Sequence, residues 1–189
     1  MSRTTEQTWI IADTNYFLHF RQPDQIDWSS LVSSKQVTLV VPMTVIDELD
    51  KHKNASSNKL RTKAQAIITK LKEINRAEEK QWGSSVRVEI APNIFLGEMT
   101  ELGLDENRAD DRIMAFAVYF AKSEDVDPTR VFLVSNDFGM ELKSKGRGIR
   151  LLPLPEELQI PAELDSFERE LRDLRRQIQL SQIGCLSLK

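Results

Sequence analysis

The apolar positions of this chain fall into two kinds of run. Short blocks with no polar alternation occur at Trp9–Ala12, Val37–Val41, Val131–Val134 and Ile149–Leu152. Each is too short for a helix and is bounded by turn-forming or capping residues, so each predicts a buried strand. Val86–Ile90 alternates apolar and polar residues and predicts a further strand. Between these blocks the spacing changes to three and four. It predicts a short helix after Ala12 through about Phe20, a small helix around Trp28, Leu31 and Val32, a helix from Met43 to about His52, and a long one from Leu60 to about Lys80. A helix opened by Asp110 carries Ile113, Met114, Ala117, Val118 and Phe120 on its apolar face, and a short one spans Phe138–Lys145. Asn54–Asn58 reads as a polar break, residues 91–108 as irregular, and Trp82-Gly-Ser-Ser as a turn.

Strands that alternate with helices, and that are themselves apolar throughout, predict an α/β fold. The sheet is expected to be mainly parallel, about five-stranded and covered on both faces. After it, Pro153, Pro155 and Pro161 punctuate a linker. Leu164, Phe167, Leu171, Leu174 and Ile178 then recur at 3-4-3-4 spacing on a charged helix, suited to a homodimer or a partner helix through residues 163–181. The expected division is a domain over 1–155 and a linker plus amphipathic helix over 156–189. The helix near the end of the sequence suggests the amino-terminal part of something longer.

Composition narrows the chemistry. The chain has 189 residues with 40% hydrophobic and 29% charged positions, as a globular domain has. No apolar run reaches the ~18–20 residues of a membrane span, and the first residues lack the blocks of a signal peptide. The expectation is a cytoplasmic protein that does not engage membranes. With one cysteine and two histidines, any metal site has oxygen ligands. The net charge of −3 gives no global sign of a polyanion partner, but residues 51–80 carry nine Lys or Arg against three Glu. A second basic group is Lys143, Lys145, Arg147 and Arg150. Solvated helix faces are the more common account of such groups.

Four acids stand where such a fold gathers side chains. Asp13 ends the first strand, and Glu48 lies in the helix after the second. Asp110 opens the helix before the fourth strand, and Asp137 follows that strand. Carboxylates brought together at strand ends repel one another unless a cation offsets them, and Mg²⁺ or Mn²⁺ prefers such ligands. Helix capping explains Asp13, Asp110 and Asp137 singly. Assigning the first cap to Thr14 or Asn15 leaves the Asp13 carboxylate free to face a cleft. A phosphatase or response-regulator-like domain also places Asp at strand ends. It is disfavoured here by the lack of an Asp-x-Asp pair after the first strand and of a Gly-rich phosphate loop.

Ile10-Ile-Ala-Asp-Thr-Asn15, Val41-Pro-Met-Thr-Val-Ile-Asp-Glu-Leu49, Asp110-Asp-Arg-Ile-Met-Ala115, Leu133-Val-Ser-Asn-Asp137 and Gly148-Ile149 resemble, in order, the blocks of the PIN-domain family. The likeness covers about residues 8–155 and is closer to the RNA-processing and PhoH-like branch than to the short toxin branch. It implies a three-layer α/β/α domain and a nuclease that uses one or two Mg²⁺ or Mn²⁺ ions. The implied activity is an endoribonuclease cutting single-stranded RNA, with DNA as the alternative substrate, to leave a 5′-phosphate and a 3′-hydroxyl. Carried over by position, Asp13, Glu48, Asp110 and Asp137 match the catalytic and metal-binding quartet, with Asn15 and Ser135 in support. Asp47 and Asp111 are neighbours easily mistaken for ligands. Asp110 is preferred for its three-residue distance from Ile113, and Glu48 because it directly precedes Leu49. Lys59, Arg61, Lys63, Lys143, Lys145 and Arg147 are the expected nucleic-acid contacts. The competing reading is a PIN-fold binding or scaffold module without useful turnover.

Overall fold

The computed structural model describes residues 7–55, 57–84, 86–92, 99–123, 126–160 and Arg175. Its centre is β1 (Gln7–Ala12), which pairs in parallel with β2 (Gln36–Pro42) on one side and β5 (Val131–Val134) on the other. Ile10 lies opposite Leu39 across one pairing and Phe132 across the other. β4 (Val86–Ala91) extends the sheet beyond β2, and β6 (Arg150–Leu152) extends it beyond β5. The full order is β3-β4-β2-β1-β5-β6, all parallel except the two-residue β3 (Gln81–Trp82), which runs antiparallel to β4. The expected α/β class and parallel sheet are observed, with six strands in place of about five.

Burial explains the strand sequences. Thr8–Ala12 and Val37–Pro42 are buried residue after residue, so both faces of these strands are covered and alternation would place polar groups in the core. β4, which has only the short β3 outside it, alternates buried Val86 and Val88 with exposed Arg87 and Glu89. The covering helices are α1 (Thr14–His19), α2 (Trp28–Val32), α3 (Met43–His52), α4 (Asn58–Arg76), α5 (Ala109–Ala121) and α6 (Phe138–Lys145). α4 starts at Ser57, whose hydroxyl accepts from Leu60 N at 3.5 Å, and it buries Ala64, Ile67, Ile68, Leu71 and Ile74.

Two local expectations are corrected. α4 ends at Arg76, short of Lys80, because residues 77–80 offer no apolar side chain to the core. Lys80 O instead accepts from Val88 N at 2.8 Å and so leads the chain into β3. Trp82, read as part of a turn, is a strand residue packed against Phe17; the turn begins at Gly83, whose φ of +63° an L side chain rarely adopts.

The chain divides into a compact unit from Met1 to Gln159 and a second from Ile160 to Lys189. The helix expected over 163–181 lies outside the described residues, apart from Arg175. No described helix is long and apolar enough to cross a membrane.

The winding order sets the position of a site. From β1 the chain moves outward to β2 and β4, and α5 then returns it to β5 on the opposite flank of β1. The carboxyl ends of β1 and β5 thus border the crevice where winding reverses, the place at which open α/β sheets bind ligands. Leu39 is fully buried in the middle of this sheet. Leu39→Ala is expected to lower stability by about 2–5 kcal/mol in urea unfolding.

Candidate active site

Asp13 leaves β1 at this crevice, and its amide donates to Val134 O at 3.3 Å, joining the ends of β1 and β5. Asp13 as a whole residue is 4% exposed. Oδ1 accepts from Tyr16 N at 2.7 Å, so Asp13 itself caps α1. The expectation that Thr14 or Asn15 would take the cap is therefore corrected: the Tyr16 amide, in the first turn, points back at the Asp13 side chain. The Ser135 hydroxyl also donates to this carboxylate. Ser135 Oγ in turn accepts from Asp137 N at 3.1 Å, so a single hydroxyl is bonded to both acidic residues.

Asp137 follows β5 and caps α6 by accepting from Met140 N at 3.0 Å. Asp110 lies in the first turn of α5. Burial pushes the Asp13 carboxyl up to about 6; the hydrogen bonds from Ser135 and Tyr16 N oppose this, and the charges of Asp110 and Asp137 add to it. Asp13, Asp110 and Asp137 therefore share one electrostatic environment. Glu48, on α3, is tied in through Thr14, whose hydroxyl donates to Oε2 at 2.6 Å. Sequence reasoning missed Thr14; its place directly after the strand-ending acid was the available signal. Asn15 is exposed at the crevice beside Asp137. Asp47 is half-buried on α3.

Asp111 serves a different purpose from Asp110. It is buried, accepts from Asp105 N at 3.0 Å and pairs with Lys143 of α6. Burial pushes its carboxyl up, but the Lys143 ammonium and the Asp105 amide outweigh this and hold it below its ordinary value. Lys143, expected to contact nucleic acid, is thus committed inside the fold. Arg147 is committed as well, donating through Nε to Leu102 O at 3.1 Å and through Nη1 to Lys143 O at 2.9 Å. Lys145 pairs with Glu141 on the surface at 2.7 Å. On α4, Lys63 donates to Leu18 O, Arg61 to Asn58 Oδ1 at 2.8 Å, and Lys59 is exposed.

These donors fit a hard divalent cation in chemistry: the ligands on offer are oxygens, and the charges that raise the Asp13 pKa are all negative. Among the described residues, no three His, Cys, Asp or Glu stand close enough together to hold an ion as placed. Capping bonds at Asp13 and Asp137 turn one oxygen of each carboxylate toward a helix amide.

The raised Asp13 pKa makes a claim about stability. The ordinary carboxylate value is 3.8. Between pH about 4 and about 6 the folded chain holds a proton that the unfolded chain has released, so stability falls as pH rises through this window and stays lowered above it. Asp13→Asn removes the charge and keeps a capping oxygen. With divalent ions chelated, this variant is expected to be about 1–3 kcal/mol more stable than wild type at pH 7 in urea unfolding, with the gain closing toward pH 4.

The PIN domain family model matches residues 10–152. Among solved structures, the chain is similar to a domain of a functionally unknown protein from Methanocaldococcus jannaschii DSM 2661. That likeness has a TM-score of 0.52 and 20% identity over 84% of this chain and 99% of that one, and it shows the fold alone. No curated protein matches the chain.

Proposed function

The chain belongs to the PIN-domain family, whose members are generally metal-dependent nucleases, and from that premise we propose that it is an endoribonuclease acting on single-stranded RNA. The observation that carries the reading is the buried Asp13 carboxylate under the joint influence of Asp110 and Asp137 at the reversal of the sheet. Asp13 and Asp137 would be the principal ligands of Mg²⁺ or Mn²⁺, with Glu48 and Asp110 completing the site or ordering water. When bound, such an ion supplies Lewis-acid stabilisation to a phosphodiester under in-line attack, which leaves a 5′-phosphate and a 3′-hydroxyl.

The other residues orient these acids. Ser135 donates to Asp13 and receives the Asp137 amide, and Thr14 holds Oε2 of Glu48. Lys143 and Arg147 are engaged internally and Lys63 is tied to Leu18 O, so the task of holding a strand falls first on the exposed Lys59 at the start of α4, and affinity should drop with salt.

The test is cleavage of labelled single-stranded RNA and DNA in Mn²⁺. Wild type is expected to cut RNA, and Asp13→Asn and Asp110→Asn to be slower by at least about a hundredfold. Asp111→Asn is expected to lower the melting temperature, because it removes the partner of Lys143. Equal inactivity, or equal activity, of wild type and Asp13→Asn ends this reading. Such a result would favour a PIN-fold binding module, a reading that draws on the spacing of the acids as placed. For that module, deletion of residues 161–189 is expected to halve the mass in solution if the terminal segment pairs two copies; an unchanged mass removes the dimer.

A further inference from the structure

One open cleft reaches the acid centre. It encloses about 280 Å³, with Asp137 on its wall beside Asn15 and His19 of α1. Glu156 and Gln159 form another part of the wall, and two contacts fasten that segment to the end of α1. Arg21 N donates to Leu158 O at 2.9 Å, and Phe20 and Gln159 form an antiparallel bridge. Asn136 also borders the cleft, but its amide is occupied, donating to Leu154 O and accepting from Leu154 N at 3.0 Å each. Three other open clefts contain no residue of the acid centre. One lies at the amino ends of β1 and β2 beside Lys35, a second along β3 and β4 beside Glu78 and Glu79, and a third beside Trp28 and Ser29 of α2.

The geometry points to the cleft beside Asp137 as the subsite for one unpaired nucleobase of the substrate strand, adjoining the phosphodiester presented to the acids; this rests on the nuclease reading above. Charge favours a base over a phosphate. The wall carries the carboxylates of Asp137 and Glu156 and neither Lys nor Arg, so away from a bound ion a phosphate would meet two negative charges and no positive one. The polar groups that remain are the amides of Asn15 and Gln159, which have no hydrogen-bond partner among the described residues, and the imidazole of His19. A side-chain amide offers a donor and an acceptor side by side, which suits the edge of an unpaired base. Burial, and then the nearby charges of Lys63 and His52, hold His19 below the ordinary imidazole value, so at neutral pH it too presents one donor and one acceptor. Lys63 stands near His19 but off the cleft wall, a division that gives phosphates and bases separate places.

The test is binding in EDTA, read by fluorescence anisotropy of labelled oligouridylate, oligoadenylate and oligocytidylate of about twelve nucleotides. A ribose-phosphate strand of equal length without bases is the comparison. The protein is the full chain, as wild type and as His19→Ala/Gln159→Ala. Both side chains are exposed, and the Gln159 bridge to Phe20 is made by backbone. Asn15→Ala is a second variant with the same expectation, should melting show that the double variant folds poorly. The variants are expected to bind the preferred homopolymer about tenfold more weakly than wild type and the baseless strand equally well. Equal affinity of wild type and variants for every homopolymer overturns the subsite. An equal loss on the baseless strand also overturns it, since the cleft would then contact backbone, and so does failure of wild type to bind any strand. Because the metal is chelated, the affinity difference stands even if the Mn²⁺ assay shows no cleavage. Cleavage without the affinity difference keeps the nuclease reading and removes the subsite.

Discussion

A carboxylate at the end of the central strand, almost out of contact with water, constrains the rest of the structure. Removing a charge from solvent is costly unless neighbouring groups compensate it. Around Asp13 the compensation is partial: one amide from α1 and one hydroxyl from Ser135, against two further acids. The sheet has to supply both donors at once. β5 must lie beside β1 in register for Ser135 to reach Asp13, and α1 must begin directly after the strand for the Tyr16 amide to face back. What the fold leaves uncompensated is negative charge at a crevice, which accords with the chemistry expected of PIN domains.

Much of this was legible in the residues because it rests on local pattern. The unbroken apolar runs of β1, β2 and β5 marked strands covered on both faces, and the stripe from Ala64 to Ile74 marked the buried face of α4. Asp13, Asp110 and Asp137 were visible because each follows a strand or stands at a helix start, whereas Glu48, inside α3, was marked by its place before Leu49. What escaped notice depends on pairing between distant segments. β3 exists because β4 offers an open edge to Gln81 and Trp82, and the bond from Val88 N to Lys80 O leads the chain into it. Neither follows from the spacing of nearby side chains.

The candidate site shows the same boundary. Capping and a metal-facing role looked like alternatives for Asp13, yet a carboxylate has two oxygens and the structure uses one for the cap. Charge counts made Lys143 and Arg147 look available to a nucleic acid. A basic residue with a buried carboxylate or an orphan carbonyl within reach is indistinguishable in sequence from one that faces solvent, and only the long-range contacts to Asp111 and Leu102 separate them.

The first of those contacts crosses between the start of α5 and the body of α6, and the second joins the segment before α5 to the turn after α6. Asp110 is the neighbour of Asp111, and Asp137 caps the helix that carries Lys143. The separation of two acids from different parts of the chain is therefore governed by a brace behind them, built from residues that need never touch a substrate. Such a brace makes the gap between the acids a property of helix docking, and it makes the two helices, not the individual side chains, the units that would have to shift to widen or narrow it.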